Sequence, residues 1–189
     1  MTYTLESDHT SLEQTFHAHK NFGFYQPRAT VNPGDYAPII RASSTPLLGA
    51  LEIALLRYGL VPPGFSSPKE ADRYRMHHVR AKRVGWQREV ARLYSSGNRC
   101  LVPMTHGGLE TAAAGLWGRW TRIRKGREER LESYAVFTVR DDRDAWQPLV
   151  LEPWDWTSWL EGAVELEALA VMPVSSATGD AERGQALAV

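Results

Sequence analysis

Residues 99–120, RCLVPMTHGGLETAAAGLWGRW, place an apolar run, a polar Gly-Gly turn, the lone carboxylate of Glu110 and a second, Trp-bearing run in immediate succession. Two strands joined by such a turn would carry Glu110 as an acid or base on a sheet. His77 and His78 are a second candidate. Adjacent strand residues point to opposite faces, so the two rings would share a metal ion only across a bend, and with Arg80 and Lys82 beside them a hydrogen-bonding role is the simpler expectation. No metal and no cofactor is expected, and no Gly-x-Ser-x-Gly elbow supports a serine hydrolase.

A third constellation is basic. Arg73, Arg75, Arg80, Lys82, Arg83, Arg88 and Arg92 interleave with Tyr74 and Trp86, the composition a single-strand groove requires, with cations for phosphates and flat rings for unstacked bases. The competing reading has these arginines solvating two helices and pairing with the acidic C-terminal third. Lastly, Trp146, Trp154, Trp156 and Trp159 crowd around Pro148 and Pro153. Tryptophans in such clusters belong to a core or its rim; were they exposed, they would instead form a surface for a protein partner.

The elements that position these groups follow from periodicity and turn chemistry. Ser11 to Phe22 reads as a short amphipathic helix behind Thr10 or Ser11, and Pro68 to Tyr74 and Trp86 to Tyr94 read as two more. Ala37 to Ala42, Arg99 to Pro103, Ala112 to Trp120, Tyr134 to Val139 and Pro148 to Leu151 are strand-like and Leu51 to Tyr58 is a strand or a buried segment, with Pro62-Pro63-Gly64 forcing a loop and the charged RIRKGREER run acting as a hairpin-like connection. A helix is expected over Asp155 to Leu160 and a last strand over Ala168 to Val171. Strands at the centre with helices around them predict an α+β fold, a single domain with a curved, mostly antiparallel sheet and flanking helices.

Composition bounds the rest. The 189 residues are 43% apolar, enough for one substantial core, and 22 Lys and Arg balance 22 Asp and Glu. Nucleic-acid binding would therefore rest on local asymmetry: Lys69 to Arg99 holds nine basic against three acidic residues, whereas Glu152 to Glu167 holds acids and no Lys or Arg. Cys100 is the single cysteine, which excludes an intrachain disulfide and a cysteine-built zinc site and agrees with a reducing compartment. With no long apolar run and a polar, acidic start, no membrane association and a cytoplasmic location are expected. Residues 175–189 are small and polar, suited to a partly loose tail.

Read block by block, the chain resembles the SOS-response-associated peptidase (SRAP) family, proteins that process abasic sites in single-stranded DNA. RATVNPGDYAPII at Arg28 to Ile40 is similar to the family's Arg-Tyr-Asn-x-Ala-Pro segment, and RYGLVPPGF at Arg57 to Phe65 to its Trp-Gly-Leu-x-Pro-x-Trp. HHVRAKR at His77 to Arg83 occupies the place of Asn-Ala-Arg-x-Glu; RCLVP at Arg99 to Pro103 matches outright and AGLWGRW at Ala114 to Trp120 closely. FTVRDDRDAWQPLVL and MPVSSATG follow where the family has a Thr-rich strand with His-x-Arg-Met-Pro and a Pro-Val-Ser segment. The resemblance covers most of the chain in order, and the domain it implies spans residues 1–174. It implies a SRAP-like sheet, single-stranded or abasic DNA as partner in a DNA-damage or SOS context, and crosslinking, lyase and proposed autopeptidase activities.

The departures bear on that chemistry. Family members begin Met-Cys-Gly-Arg, and the exposed cysteine captures the abasic aldehyde through its thiol and amine; this chain begins Met-Thr-Tyr-Thr. The family's Asn becomes His78 while its Arg survives as Arg80; its His aligns with Asp144 and the following Arg with Trp146. Its glutamate falls between Leu109 and Glu110, so Glu110 fills the role only if the turn absorbs one residue, and a one-residue slip on a strand turns a side chain to the other face. By resemblance Cys100 is not a nucleophile. Removal of Met1 would leave the amine of Thr2, with a reference pKa of about 7.7 to 8.0, free to form an imine with an aldehyde. On that reading His78, Glu110 or Asp144 moves protons and Arg80 holds a phosphate, with Arg73, Arg75, Lys82, Arg83 and Trp86 completing the DNA surface. The alternative reading is a scaffold without activity, a structural or protein-interaction module of phage or mobile-element kind.

Overall fold

Apolar runs dictate strands through the middle of the chain, and the turn residues between them dictate how those strands meet. The computed structural model describes residues 1–45, 50–141 and 144–169. Its elements run β1 (Tyr3–Leu5), α1 (His9–Phe16), β2 (His19–Lys20), β3 (Arg28–Val31), β4 (Tyr36–Ala42), β5 (Leu51–Tyr58), α2 (Pro68–Arg73) and β6 (His78–Arg80). A 3-10 segment (Ala81–Trp86) leads to α3 (Arg88–Ser95), β7 (Arg99–His106), β8 (Leu109–Arg124), β9 (Arg127–Arg140), β10 (Trp146–Pro148) and β11 (Val150–Leu151). The 3-10 turn Pro153–Asp155, α4 (Trp156–Glu161) and α5 (Leu166–Leu169) follow.

Two glycine turns organise the sheet. Gly107 and Gly108, both at positive φ, close a two-residue connection that pairs β7 with β8 from His106↔Leu109 to Arg99↔Leu116. Lys125 and Gly126 do the same for β8 and β9, from Arg124↔Arg127 to Gly115↔Val136. The order β9-β5-β4-β7-β8, with β8 returning to β9, closes a five-stranded barrel in which only the β5–β9 contact is parallel. β6 adds in parallel to one edge of β9, and β10 and β11 add to β9 and β8; β1 and β3 form a separate pair.

Thus the fold is α+β in a single domain, with a mostly antiparallel sheet that curves far enough to close and helices around it. One core runs from Tyr3 to Leu169, with Trp159, Tyr58, Tyr134 and Phe137 among its largest fully buried side chains. Close approach explains Gly115: a Cβ there would lie 2.7 Å from Val102 and 2.8 Å from the sulfur of Cys100. Arg41, on β4, reaches across to the Trp117 ring on β8 and to Glu132 on β9, so the barrel interior is charged at one end.

Three local expectations are corrected. The first helix starts at His9 behind Asp8, whose carboxylate accepts from Ser11 N–H at 2.8 Å, and it ends at Phe16 because His17 turns left-handed and His19–Lys20 pair with β5. Trp86 closes a 3-10 segment before α3 instead of opening that helix. Ala168 and Leu169 are helical, their N–H groups donating to the backbone carbonyl of Glu165. The remainder of that expected strand, the MPVSSATG block and the 175–189 tail lie outside the described residues. Among the described residues no helix is long and apolar enough to cross a membrane.

Candidate functional site

The first cluster forms where the start of the chain meets the turn into β6. The α-amino group of Met1 lies 3.1 Å from Nε2 of His77, and Tyr58 donates its hydroxyl to the Met1 carbonyl at 3.3 Å. Tyr58 stacks on Tyr134 at 5.2 Å and meets the rings of Tyr3 and His77 edge-on, while the Tyr3 and Tyr134 hydroxyls share a 2.5 Å hydrogen bond. A wall of buried rings therefore fixes the amine. Burial, then the charges of the Met1 amine, His78 and Arg75, hold the His77 imidazole down at about 4. With its proton on Nδ1, the neutral ring accepts at Nε2, and such a base can take a proton from the amine as nitrogen attacks a carbonyl. Burial likewise lowers His78, whose buried Nδ1 has no hydrogen-bond partner among the described residues.

This geometry makes a pH prediction with a definite sign. A histidine whose folded pKa lies below its ordinary 6.5 binds its proton more weakly when folded, so its contribution is in place above about 6.5 and is lost as pH falls toward about 4. Exchanging His77→Gln should therefore flatten the fall in melting temperature across that window, His78 keeping part of it. Parallel melting curves for the two proteins would contradict the placement.

The second cluster surrounds the far end of β9. Thr138 is paired with Arg80 of β6 on one edge and Pro148 of β10 on the other, which gathers Arg80, Lys82, Arg83, Arg140 and Trp146 around a groove of about 250 Å³. The guanidinium carbons of Arg80 and Arg140 lie 4.6 and 5.0 Å from the centre of the Trp146 ring, and that of Arg83 lies 4.6 Å from Trp86, which is 75% exposed. Arg140 is ion-paired with Asp144; among the described residues no carboxylate pairs with Arg80, Lys82 or Arg83. Nor does any pair with Arg73 and Arg75, which flank the exposed Tyr74. Cations on flat rings, open to solvent, can hold phosphates and stack bases.

The expected site residues thus fall in several places. Thr2 is exposed and follows the amine-bearing Met1; loss of Met1 would move the amine about 3.8 Å along the chain. Beside it is His78, although His77 makes the contact. Asp144 sits in the left-handed turn after β9, at the groove, held by Arg140. Glu110 is elsewhere. The ladder through Thr105↔Glu110 is unbroken, so Glu110 shares the face of Ala112 and Ala114, outside the barrel, and accepts from Thr15 of α1 at 2.5 Å. Its partner Thr105 bonds the N–H of Glu6, five residues from Met1, which puts Glu110 of order 15 Å from the amine. Burial pushes the Cys100 thiol up, out of reach of easy ionisation. Among the described residues no three His, Cys, Asp or Glu side chains converge as metal ligands.

Tyr58 and Arg140 received no site role from the sequence, whereas His77 was read there as a metal or hydrogen-bonding candidate and Trp146 as part of a tryptophan cluster. The tryptophans divide: Trp159 is buried and donates to the Cys100 carbonyl at 2.9 Å, Trp156 donates to that of Leu151 at 3.2 Å, Trp146 lines the groove and Trp154 is 73% exposed.

No family model matches the chain, and no curated protein does. Among solved structures, a structural-genomics target from Bacteroides thetaiotaomicron aligns with a TM-score of 0.72 at 16% identity, over 89% of this chain and 84% of that one. A second, from Bordetella bronchiseptica, aligns with a TM-score of 0.68 at 19% identity, over 89% and 90%. At such identities the likeness is one of fold, and it extends over nearly the whole of all three chains.

Proposed function

We propose that the protein binds single-stranded DNA in the groove beside β6, in the manner the SRAP resemblance implies, and that the amine at the start of the chain captures the aldehyde of an abasic site. The observation that carries this reading is the role of β6 as a bridge. His77, just before it, holds the amine, and Arg80, three residues on and roughly 10 Å away, lines the basic groove. A strand held by its phosphates at Arg80, Lys82 and Arg83, with a base against Trp146, passes the nucleophile within reach. The amine nitrogen attacks the aldehyde carbon and the carbinolamine loses water to an imine. His77 is placed to take the proton that the nitrogen sheds. Without a thiol the imine cannot close into a thiazolidine, so the adduct reverses or proceeds to strand cleavage by β-elimination.

The test is incubation with a single-stranded oligonucleotide carrying one abasic site, with and without borohydride, after intact mass has established whether Met1 is present. Trapping of an adduct that maps to the first residue is expected. Salt-sensitive binding without an adduct would leave a DNA-holding protein with no amine chemistry, and absence of both would overturn the proposal. The exposed indole of Trp154 favours one other reading, a protein-interaction module, and that third outcome would direct attention to it.

A further inference from the structure

Beyond the barrel, β8 and β9 continue as a free-standing two-stranded arm, every residue of which from 121 to 130 is exposed. Strand alternation puts Arg122, Arg124 and Arg127 on one face of the arm and the exposed Ile123 on the other. Arg124 and Arg127 are direct cross-strand partners, an arrangement in which like charges destabilise the pair, and Lys125 beside them occupies a left-handed turn position that lysine adopts infrequently. The nearby acids compensate only in part: Glu128 is bonded to Arg130 and Glu132 to Arg119 and Arg41, and Glu129, opposite Arg122, is the one carboxylate among the described residues on a face that carries Arg122, Arg124 and Arg127. Among the described residues the positive charge at the tip is left in excess; an anionic ligand would balance it.

The path from tip to groove says which anion. Arg122 donates to the Ser66 carbonyl and Trp120 to that of Phe65 at 2.8 Å. Phe65 meets the ring of Tyr74 edge-on at 5.6 Å, and Tyr74, 66% exposed, lies between Arg73 and Arg75 just ahead of His77 and β6. Cations and an open aromatic ring therefore lead from one site to the other, as a polynucleotide requires and a lipid surface does not. We infer that the tip of the β8–β9 arm is a second phosphate-binding site for the strand held in the groove, an inference that rests on the reading of that groove as a DNA site. Thr138 and Arg127 are eleven residues apart on β9, about 36 Å along the strand, or about ten stacked nucleotides. The arm makes affinity depend on strand length.

The experiment compares the full chain with an Arg124→Gln/Arg127→Gln variant by fluorescence anisotropy, using oligothymidylates of roughly 5 and roughly 20 nucleotides over a range of salt. The variant should bind the longer strand about tenfold more weakly at low salt, with a log–log salt slope shallower by about 1.4 for two lost single-strand phosphate contacts, and the shorter strand as the parent does. An Arg124→Lys/Arg127→Lys variant, which keeps the charge, should retain long-strand binding. Unchanged affinity and slope on the longer strand, or equal losses at both lengths, would overturn the inference. Should the parent itself bind both lengths with one affinity and one slope, the groove stands and the tip site falls; should it bind neither, both fall.

Discussion

Exchanging Arg80, Lys82 and Arg83 together for glutamine is expected to weaken binding of a short single-stranded oligonucleotide by about 100-fold at low salt, or about 2.7 kcal/mol. The three cations line or border one groove and have no carboxylate partner among the described residues. Removing them breaks no ion pair among the described residues, but Arg80 and Arg83 also leave the rings of Trp146 and Trp86, so the salt slope is the readout specific to phosphate contacts. Three single-strand contacts at about 0.7 each would also make the salt slope shallower by about 2. Trp146→Ala provides the counterpart: it removes the ring beside Arg80 and Arg140, with an expected loss of about 1–3 kcal/mol for one stacked base and little change in slope. Anisotropy titrations of the two variants separate charge from stacking. If the triple variant binds as the parent does, these three cations only solvate the surface and the proposed function falls.

Much of this geometry was legible in the residues, and the parts that were not share a cause. The strands over Tyr36–Ala42 and Leu51–Tyr58 follow from apolar runs between turn residues, information that is local. RIRKGREER reads as a connection because seven of its nine residues are charged, and Lys125-Gly126 at its centre is the hairpin turn, but its two arms are strand, with Arg122↔Glu129 and Ile123↔Glu128 standing directly opposite each other. The register of Glu110 depends on the length of one turn. Thr-His-Gly-Gly could hide an extra residue, but the two-residue Gly107-Gly108 turn leaves an even ladder and sends the carboxylate outward to Thr15. The groove shows the same limit. Arg80, Lys82 and Arg83 are visible as a basic run, whereas Arg140 and Trp146 arrive from some sixty residues downstream because β10 folds back on β9. Trp146 stands in the sequence where the resemblance has an arginine, and only the fold brings its ring between Arg80 and Arg140.

Within the amine cluster, the sequence distinguishes poorly between His77 and His78. The resemblance points to His78, yet the carbonyl of His77 bonds Val136 N–H and its ring turns to Tyr58 and the amine. Which of two neighbours faces inward is decided by strand pairing, and β6 starts one residue later. The amine, the imidazole of His77 and the buried tyrosine rings form one cluster, and the amine chemistry proposed for it needs no thiol.

The largest effect on stability is expected from the charged end of the barrel interior. Arg41 and Glu52 are direct partners on β4 and β5, with Nε to Oε1 at 2.7 Å and side chains 8% and 2% exposed. Burial pushes the Glu52 carboxyl up, but the hydrogen bond and charge of Arg41, with Ser44 N–H and hydroxyl behind them, outweigh it and hold the carboxyl below the ordinary range. Arg41→Met removes the cation and its contact with the Trp117 ring, leaving Glu52 buried with Ser44 alone; such uncompensated charges cost about 3–5 kcal/mol. Adding Glu52→Leu to that variant should recover most of the loss, since an apolar pair of similar volume needs no desolvated charge. The sign with pH is fixed as well: a carboxyl lowered in the folded state contributes above its unfolded pKa and loses that contribution as pH falls through the folded value. The parent should therefore lose stability on acidification more steeply than the double variant. Urea unfolding of the parent, both single variants and the double variant completes a cycle whose coupling term measures the pair. A coupling near zero would mean that Arg41 stabilises through Trp117 and Glu132 instead, and that Glu52 is held by Ser44.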